Sequence, residues 1–190
     1  MKNVIRVVLV VVALLILYIW SRPGEFHVER STTIAAPAAA VFSRLDDFHQ
    51  WAAWSPWDKL DPQMSKVYEG AASGVGAQYH WTGNDKVGEG RMTISRSEPP
   101  SSLVMSVEFL KPWKATNTTT FTLAPDGQNT KVTWAMEGKE NFMGKAMGIF
   151  MNMDKMIGGD FDRGLANLRT QVEGEAPAAA EGATATPPGK

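Results

Sequence analysis

The feature that most constrains the fold is a change in the spacing of apolar residues near residue 140. Before this point, apolar and polar residues alternate in seven short segments, and a period of two is typical of strands with one buried face. The last six segments follow one another with turn residues between them, which favours an antiparallel meander. The predicted strands are Phe26–Ile34, Ser65–Glu69, Ala77–Trp81, Gly90–Arg96, Leu103–Phe109, Thr116–Leu123 and Lys131–Glu137.

The remaining apolar patterns indicate helices. From Asn141 to Val172 apolar residues recur every three or four positions, which predicts one long amphipathic helix. Gly158 and Gly159 are expected to weaken this helix and to allow a bend. A shorter helix is predicted after Pro37, because proline suits the first helical turn and the apolar residues that follow have helical spacing. Strands and helices together predict an α+β fold.

The N-terminal segment has the composition of a membrane anchor. Apolar and aromatic residues run without interruption from Val7 to Trp20, and the apolar segment at residues 4–20 approaches the length that a spanning helix needs. A cleaved signal peptide would share this pattern, but no small-x-small cleavage site follows the run. We therefore predict a single-pass anchor in residues 1–23. Basic residues before the apolar run favour a domain on the extracytoplasmic, periplasmic side of the membrane.

The C-terminal segment has the composition of a disordered tail. Residues 173–190 are rich in alanine, proline, glycine and glutamate and contain no large apolar side chain. Such a segment cannot bury enough apolar surface to offset the entropy lost on ordering. The sequence therefore predicts one folded domain, residues 24–172, between an anchor and a tail.

Charge and composition exclude several classes of function. The chain has 19 basic and 20 acidic residues and a net charge of −1, which argues against a nucleic-acid partner. It has no cysteine, so disulfides, thiol nucleophiles and cysteine-based zinc sites are excluded. Its three histidines, His27, His49 and His80, are far apart in sequence and do not form a metal-binding motif. We find no catalytic motif and predict no cofactor and no metal site.

Four short motifs carry a family resemblance. The sequence IAAPAAAVF at residues 34–42 is followed by WAAWSPW at 51–57, GVGA at 74–77 and GLANL at 164–168. These motifs and the order of the predicted elements resemble the SRPBCC superfamily, which includes START, Bet v 1-like and polyketide cyclase-like proteins. The resemblance covers residues 25–172.

This resemblance implies a helix-grip fold, in which a curved antiparallel sheet of about six to seven strands wraps a long C-terminal helix. Proteins of this superfamily enclose an apolar cavity that binds lipids, sterols, polyketides or other hydrophobic molecules. They share no catalytic motif, so the fold alone does not imply an enzyme.

Strand alternation predicts which side chains face such a cavity. Methionine is flexible and polarizable, so the methionine-rich last helix would suit an adaptable apolar wall, although core packing is the alternative for every residue. Ile94 and Val107 share the predicted inner face. The candidate ligand-binding residues are Trp54, Tyr79, Trp81, Met92, Met105, Phe109, Phe121, Trp134, Met136, Met147, Phe150 and Met151.

Arg30 breaks the apolar pattern of the first strand. It has the parity of Val28 and Ile34, and a buried unpaired cation is too costly to retain. Either the strand bulges at this position, or Arg30 pairs with an acidic residue, or it contacts the anionic head group of a ligand.

Three functions follow from these features. The first is a membrane-tethered module that binds a lipid or another hydrophobic small molecule in the cavity. The second is a cyclase- or hydratase-like enzyme that uses Tyr79, Arg30 or His80 as an acid or base. The third is a structural or partner-binding domain with a filled core. The lack of a conspicuous histidine–carboxylate pair favours binding over catalysis.

Overall fold

The computed structural model describes residues 1–139, 142–149 and 153–181. In these residues the helices are α1 (Lys2–Ser21), α2 (Ala38–Leu45), α3 (Phe142–Met147) and α4 (Met153–Glu181), and a 3-10 helix spans Phe48–Ala53. The strands are β1 (Glu25–Ile34), β2 (Ser65–Gly70), β3 (Ala77–Thr82), β4 (Glu89–Glu98), β5 (Ser102–Lys111), β6 (Ala115–Asp126) and β7 (Asn129–Lys139).

The seven strands form one antiparallel sheet in the order β1-β7-β6-β5-β4-β3-β2. Each predicted strand is present, and its observed ends lie within three residues of the predicted ones. Strands β2 to β7 form a meander, and β1 pairs with β7 at one edge of the sheet. Glu25 is opposite Lys139, and Ile34 is opposite Thr130. The sheet and the C-terminal helix confirm the predicted α+β, helix-grip architecture.

Helix α4 covers the inner face of the sheet with a single apolar stripe. Phe161, Leu165, Leu168 and Val172 are all buried, and their spacing places them on one side of the helix. Phe161 stacks on Trp134 of β7 with ring centroids 4.0 Å apart and an interplanar angle of 9°. This stripe joins the helix to the sheet through one continuous core.

The region predicted as one long helix contains two helices, α3 and α4. Gly148, which directly follows α3, has a low helix propensity. In contrast, α4 passes through Gly158 and Gly159 as a helix and continues to Glu181, into the segment that was predicted to be disordered. Residues 182–190 of the predicted tail lie outside the described part of the chain.

The tryptophan-rich segment after α2 fills the centre of the core. Trp51 and Trp54 are buried, with exposed fractions of 4% and 0%, and their rings lie 4.6 Å apart. Both pack edge-on against Phe121 of β6. Their indole N–H groups donate to backbone carbonyls of α2, at Leu45 and Arg44, which fixes the segment against that helix.

Helix α1 is long and apolar enough to cross a membrane, and a signal sequence would meet the same criteria. Its apolar side chains are exposed along nearly the whole length, and Ile19 alone is buried within α1. Near its C-terminal end, Lys145 of α3 donates from Nζ to the backbone carbonyl of Arg22 at 2.8 Å. Helix α1 therefore contacts the folded domain at this end.

Candidate functional site

An apolar cavity of about 90 Å³ lies between the inner face of the sheet and the segment that follows the 3-10 helix. Of the described residues that line it, Ser55, Asp58 and Thr119 are polar, and the others are apolar or aromatic. The lining residues are Trp51, Ser55, Trp57, Asp58, Met64, Tyr79, Trp81, Val87, Met92, Val107, Phe109, Thr119, Trp134 and Met136.

The cavity lies in the half of the sheet at which β1 begins. Glu25, the first residue of β1, pairs with Lys139 at the end of β7, and Asn117 near the start of β6 pairs with Gly138. The cavity-lining residues of β4 and β6 come in the first half of their strands, and those of β5 come in the second half. On β7, Trp134 lies at the midpoint and Met136 follows it. Because neighbouring strands are antiparallel, these positions share one end of the sheet, which is also the end at which α1 joins it.

Aromatic contacts between neighbouring strands shape one wall of the cavity. Tyr79 and Trp81 stack on β3 with centroids 6.0 Å apart, and Trp81 meets Phe109 edge-on at 5.8 Å. Trp81 lies directly over Gly90 of β4, where an added Cβ would be 2.4 Å from its ring and from the carbonyl oxygen of Glu108. The indole N–H of Trp81 donates to the carbonyl of Val87 at 3.0 Å. Gly90 therefore provides the space that holds this indole in the wall.

The structure places the predicted ligand-binding residues in three groups. Six of them line the cavity: Tyr79, Trp81, Met92, Phe109, Trp134 and Met136. Trp54, Met105 and Phe121 are buried in the core outside the lining of this cavity. The Met147 side chain, Phe150 and Met151 lie outside the described part of the structure. Ligand contact by any of these residues stays a prediction.

Sequence reasoning missed most of the lining that lies outside the strands. Trp51, Trp57, Asp58 and Met64 belong to irregular or 3-10 segments, where no periodicity indicates which side chains point inward. Thr119 could have been found, because it shares the parity of Phe121, which was assigned to the inner face. It was not among the predicted residues, because only apolar and aromatic side chains were assigned to the cavity wall.

One ion pair forms part of the lining. The carboxylate of Asp58, whose side chain is 9% exposed, contacts the ammonium of Lys66 in β2, which is 27% exposed. Partial burial lowers the pKa of Lys66, whereas the adjacent carboxylate favours its charged form. The pairing offsets the cost of placing a carboxylate beside an apolar cavity.

Tyr79 is the other ionisable residue among the described residues that line the cavity. Burial, and to a smaller extent its neighbour Tyr68, raise the pKa of the Tyr79 phenol. The phenol therefore stays protonated at physiological pH and can donate a hydrogen bond or a proton, but it is not a general base there.

Arg30 pairs with acidic residues of α4. Its guanidinium binds both carboxylate oxygens of Asp154, at 2.9 and 3.0 Å, and its Nε lies 3.3 Å from Asp162. This is the second of the three alternatives that the sequence left open, and contact with a ligand head group stays a prediction. The hydrogen bond from Arg30 holds the pKa of Asp154 below its usual value. The pair thus stabilises the fold at neutral pH and is lost as the pH falls through the pKa of Asp154.

Gly158 explains how the guanidinium fits against the helix. An added Cβ at Gly158 would lie 2.0 Å from the Nη2 atom of Arg30, whereas at Gly159 nothing lies within 4 Å. Helix α4 continues through both glycines, Gly158 and Gly159. The first of them leaves room for Arg30.

The two glycines predict opposite effects of alanine. We expect Gly159→Ala to raise the free energy of unfolding by about 0.5–1 kcal/mol, because alanine has the higher helix propensity. Gly158→Ala should lower it below the wild-type value, since the new methyl group displaces Arg30 from Asp154. Denaturant unfolding of both variants measures the difference, and an equal gain in both would show that Arg30 does not depend on the space at Gly158.

The three histidines lie on surfaces away from the cavity. His27 contacts Glu137 at 3.1 Å on the half-exposed outer face, and His80 lies 3.3 Å from Glu69. His49 donates from Nδ1 to the carboxylate of Asp47 at 2.8 Å and stacks on Tyr68. Within the described residues, no group of three histidine, aspartate or glutamate side chains could hold a metal ion.

Comparisons with known proteins agree with this architecture. A family model described as "Polyketide cyclase / dehydrase and lipid transport" matches residues 25–173. No curated protein matches the chain closely enough to count as a relative.

Solved structures show the same fold at low sequence identity. Protein CV1439 from Chromobacterium violaceum is 16% identical with a TM-score of 0.57, over 80% of this chain and 99% of that one. The Aha1 dimer from Colwellia psychrerythraea is 13% identical with a TM-score of 0.57, over 78% and 96% of the two chains. A structure from Thermobifida fusca is 20% identical with a TM-score of 0.56, over 77% and 92%. These likenesses establish the fold alone.

Proposed function

We propose that the domain holds a hydrophobic small molecule or lipid beside a membrane. The chain belongs to the polyketide cyclase/dehydrase and lipid transport family, which supports this proposal. The observation that carries the proposal is the lining of the cavity, in which eleven of the fourteen described residues are apolar or aromatic. Burying the apolar surface of a ligand there would stabilise the complex by about 25 cal/mol per Å². The few polar groups would set its orientation.

Helix α1 supports the membrane tether. It ends at Ser21, and β1 begins at Glu25, so the linker is too short to let the domain move far from the end of the helix. Lys145 donates to the carbonyls of Trp20 and Arg22, at 3.5 and 2.8 Å. A cation at this position satisfies carbonyls that have no partner within the helix and complements the helix dipole. We propose that the domain lies on the periplasmic side, as the basic residues before the apolar run favour.

The position of the cavity fits a ligand that comes from the bilayer. The cavity occupies the half of the sheet next to the end of α1. The hairpin between β5 and β6 turns at this same end and exposes Trp113 (60%) and Leu110 (41%) next to Lys111 and Lys114. Tryptophan and lysine are typical of the boundary between lipid and water. An interfacial position for this hairpin would place the cavity close to the membrane surface.

A ligand must widen the cavity on entry. Its volume of about 90 Å³ is smaller than the ~150 Å³ of an engineered cavity that admits benzene. Met64, Met92 and Met136 all line it, and the unbranched methionine side chain changes rotamer at low cost. We therefore expect these methionines to move when the ligand binds.

Two valine variants on one strand test the proposal. Val107 of β5 is 5% exposed and lines the cavity, whereas Val104 lies on the opposite face of the same strand. Val107→Phe should fill the cavity and abolish co-purification of lipid, while Val104→Phe should leave it unchanged. The measurement is native mass spectrometry of the full chain after gentle extraction from membranes.

Each result of this experiment has a clear meaning. Wild-type protein that carries no bound molecule would contradict the proposal and favour a domain with a filled core. Equal loss in both variants would show that the cavity is not the binding site. A bound molecule that is recovered in chemically altered form would favour the cyclase- or hydratase-like enzyme, for which Tyr79 is the proton donor within the lining.

A further inference from the structure

One buried tryptophan differs from the others in its hydrogen bonding. Trp51, Trp54 and Trp81 each donate their indole N–H to a backbone carbonyl, at 2.9, 3.1 and 3.0 Å. Trp134 is 1% exposed, and its Nε1 has no partner among the described residues. Trp134 is also one of the residues that line the cavity.

A second buried polar group lies beside it. Thr119 is 1% exposed and lines the same cavity, and its Oγ1 also has no partner in the described structure. On the paired strands β6 and β7, Thr119 is opposite Met136 and Phe121 is opposite Trp134, so Thr119 and Trp134 are diagonal neighbours on one face. Thr130, equally buried, donates from Oγ1 to the carbonyl of Ala36 at 2.7 Å.

Buried polar groups without a partner destabilise a protein, and most natural proteins pair nearly all of them. Two such groups on adjacent strands, both in the wall of a cavity, therefore indicate a ligand that satisfies them. The indole N–H is a donor only, and the threonine hydroxyl can donate or accept. The matching ligand atom is a hydrogen-bond acceptor.

The charge of the lining decides which acceptor fits. Asp58 is the charged residue among the described lining residues, and its partner Lys66 is engaged by that carboxylate. A ligand carboxylate or phosphate would meet a negative charge and no free cation, which is unfavourable in an apolar cavity. The acceptor that suits this site is the oxygen of a neutral carbonyl group.

We infer that the cavity selects a neutral, largely hydrocarbon molecule that carries a ketone or ester oxygen, bound by the indole N–H of Trp134 and the hydroxyl of Thr119. This inference rests on the proposed function and specifies the ligand class for the same cavity. The hydrocarbon part of the molecule packs against Met92, Phe109 and Met136. The two hydrogen bonds fix the orientation of the carbonyl group against β6 and β7.

The test compares three small probes of one shape on the full chain in lipid nanodiscs. The probes are cyclopentanone, cyclopentane and cyclopentanecarboxylate, which differ in the polar group alone. The indole N–H signal of Trp134, assigned by its loss in Trp134→Phe, reports the hydrogen bond by nuclear magnetic resonance. We expect cyclopentanone to move this signal downfield and cyclopentane to leave it in place.

Two threonine variants separate the polar contact from general stability. Thr119→Val should weaken cyclopentanone binding about fivefold, the equivalent of one net hydrogen bond, without changing cyclopentane binding. It should not lower the melting temperature, because the lost hydroxyl had no partner. Thr130→Val is the matched control. It should lower the melting temperature by about 2–4 °C and leave the preference for cyclopentanone intact.

The outcomes also separate this inference from the function on which it rests. Equal binding of cyclopentanone and cyclopentane with no indole shift overturns the inference but leaves an apolar binding cavity. Tightest binding of the carboxylate overturns the assignment of a neutral ligand. If none of the probes binds, the inference fails, and co-purification of lipid with the Val104→Phe and Val107→Phe variants decides whether the proposed function fails with it.

Discussion

Replacing Trp134 with alanine is expected to lower the free energy of unfolding by about 3–5 kcal/mol, the range for removing a large aromatic side chain from a core. Trp134 is 1% exposed and stacks on Phe161 at 4.0 Å. It also meets Phe121 at 4.9 Å and Trp54 at 5.6 Å, so the sheet, α4 and the tryptophan-rich segment converge on this one ring. Loss of the indole ring would leave a cavity that the sheet, α4 and the tryptophan-rich segment cannot fill by moving.

Trp113 provides the matched control for this substitution. It is the same residue type, but it lies in the turn between β5 and β6 and is 60% exposed. Trp113→Ala should change the free energy of unfolding by less than about 0.5 kcal/mol, as is usual for exposed positions. Guanidinium unfolding of the full chain, followed by circular dichroism, measures both. A similar cost for the two variants would contradict the central packing role of Trp134.

The second large effect is expected at Gly90. Gly90→Ala should lower the free energy of unfolding by about 1–3 kcal/mol, as overpacking of a tight site does. The added Cβ would lie 2.4 Å from both the carbonyl oxygen of Glu108 and the ring of Trp81, and the backbone atom cannot rotate away. Trp81 would have to move, and it lines the cavity, so ligand binding should fall together with stability.

Gly159→Ala serves as the control for this variant, because a Cβ there meets nothing within 4 Å. Denaturant unfolding gives the stabilities, and native mass spectrometry gives the fraction of protein with bound lipid. A Gly90→Ala variant of wild-type stability with full lipid content would show that Trp81 does not depend on the space above Gly90.

The strands could be predicted because their signal is local. Alternation in segments such as Leu103–Phe109 reflects burial of one face, and observed β5, Ser102–Lys111, contains the whole predicted segment. Parity also placed Tyr79, Trp81 and Trp134 correctly on the inner face, because each strand residue points to the side opposite its neighbours. The break between α3 and α4 was missed, since apolar spacing of three and four continues across it.

The candidate site was predictable only in part, for the same reason. Its strand residues follow from parity, but Trp57, Asp58 and Met64 enter from a segment without periodicity. Arg30 looked anomalous in sequence because its partners, Asp154 and Asp162, are more than a hundred residues away. The space for its guanidinium comes from Gly158. From helix propensity alone, this glycine is expected only to weaken the helix.

By itself, the sequence determined the order of the elements, the face that each strand buries, the apolar N-terminal helix and the absence of cysteine chemistry. These properties depend on residue type and on periods of two and 3.6, which are local. Only the tertiary structure decided that six of the predicted residues surround one cavity of about 90 Å³. It also showed that two lining residues, Trp134 and Thr119, each have a buried polar atom without a partner in the described part of the chain. Voids and unpaired polar groups depend on how distant segments meet, and no local pattern encodes that geometry.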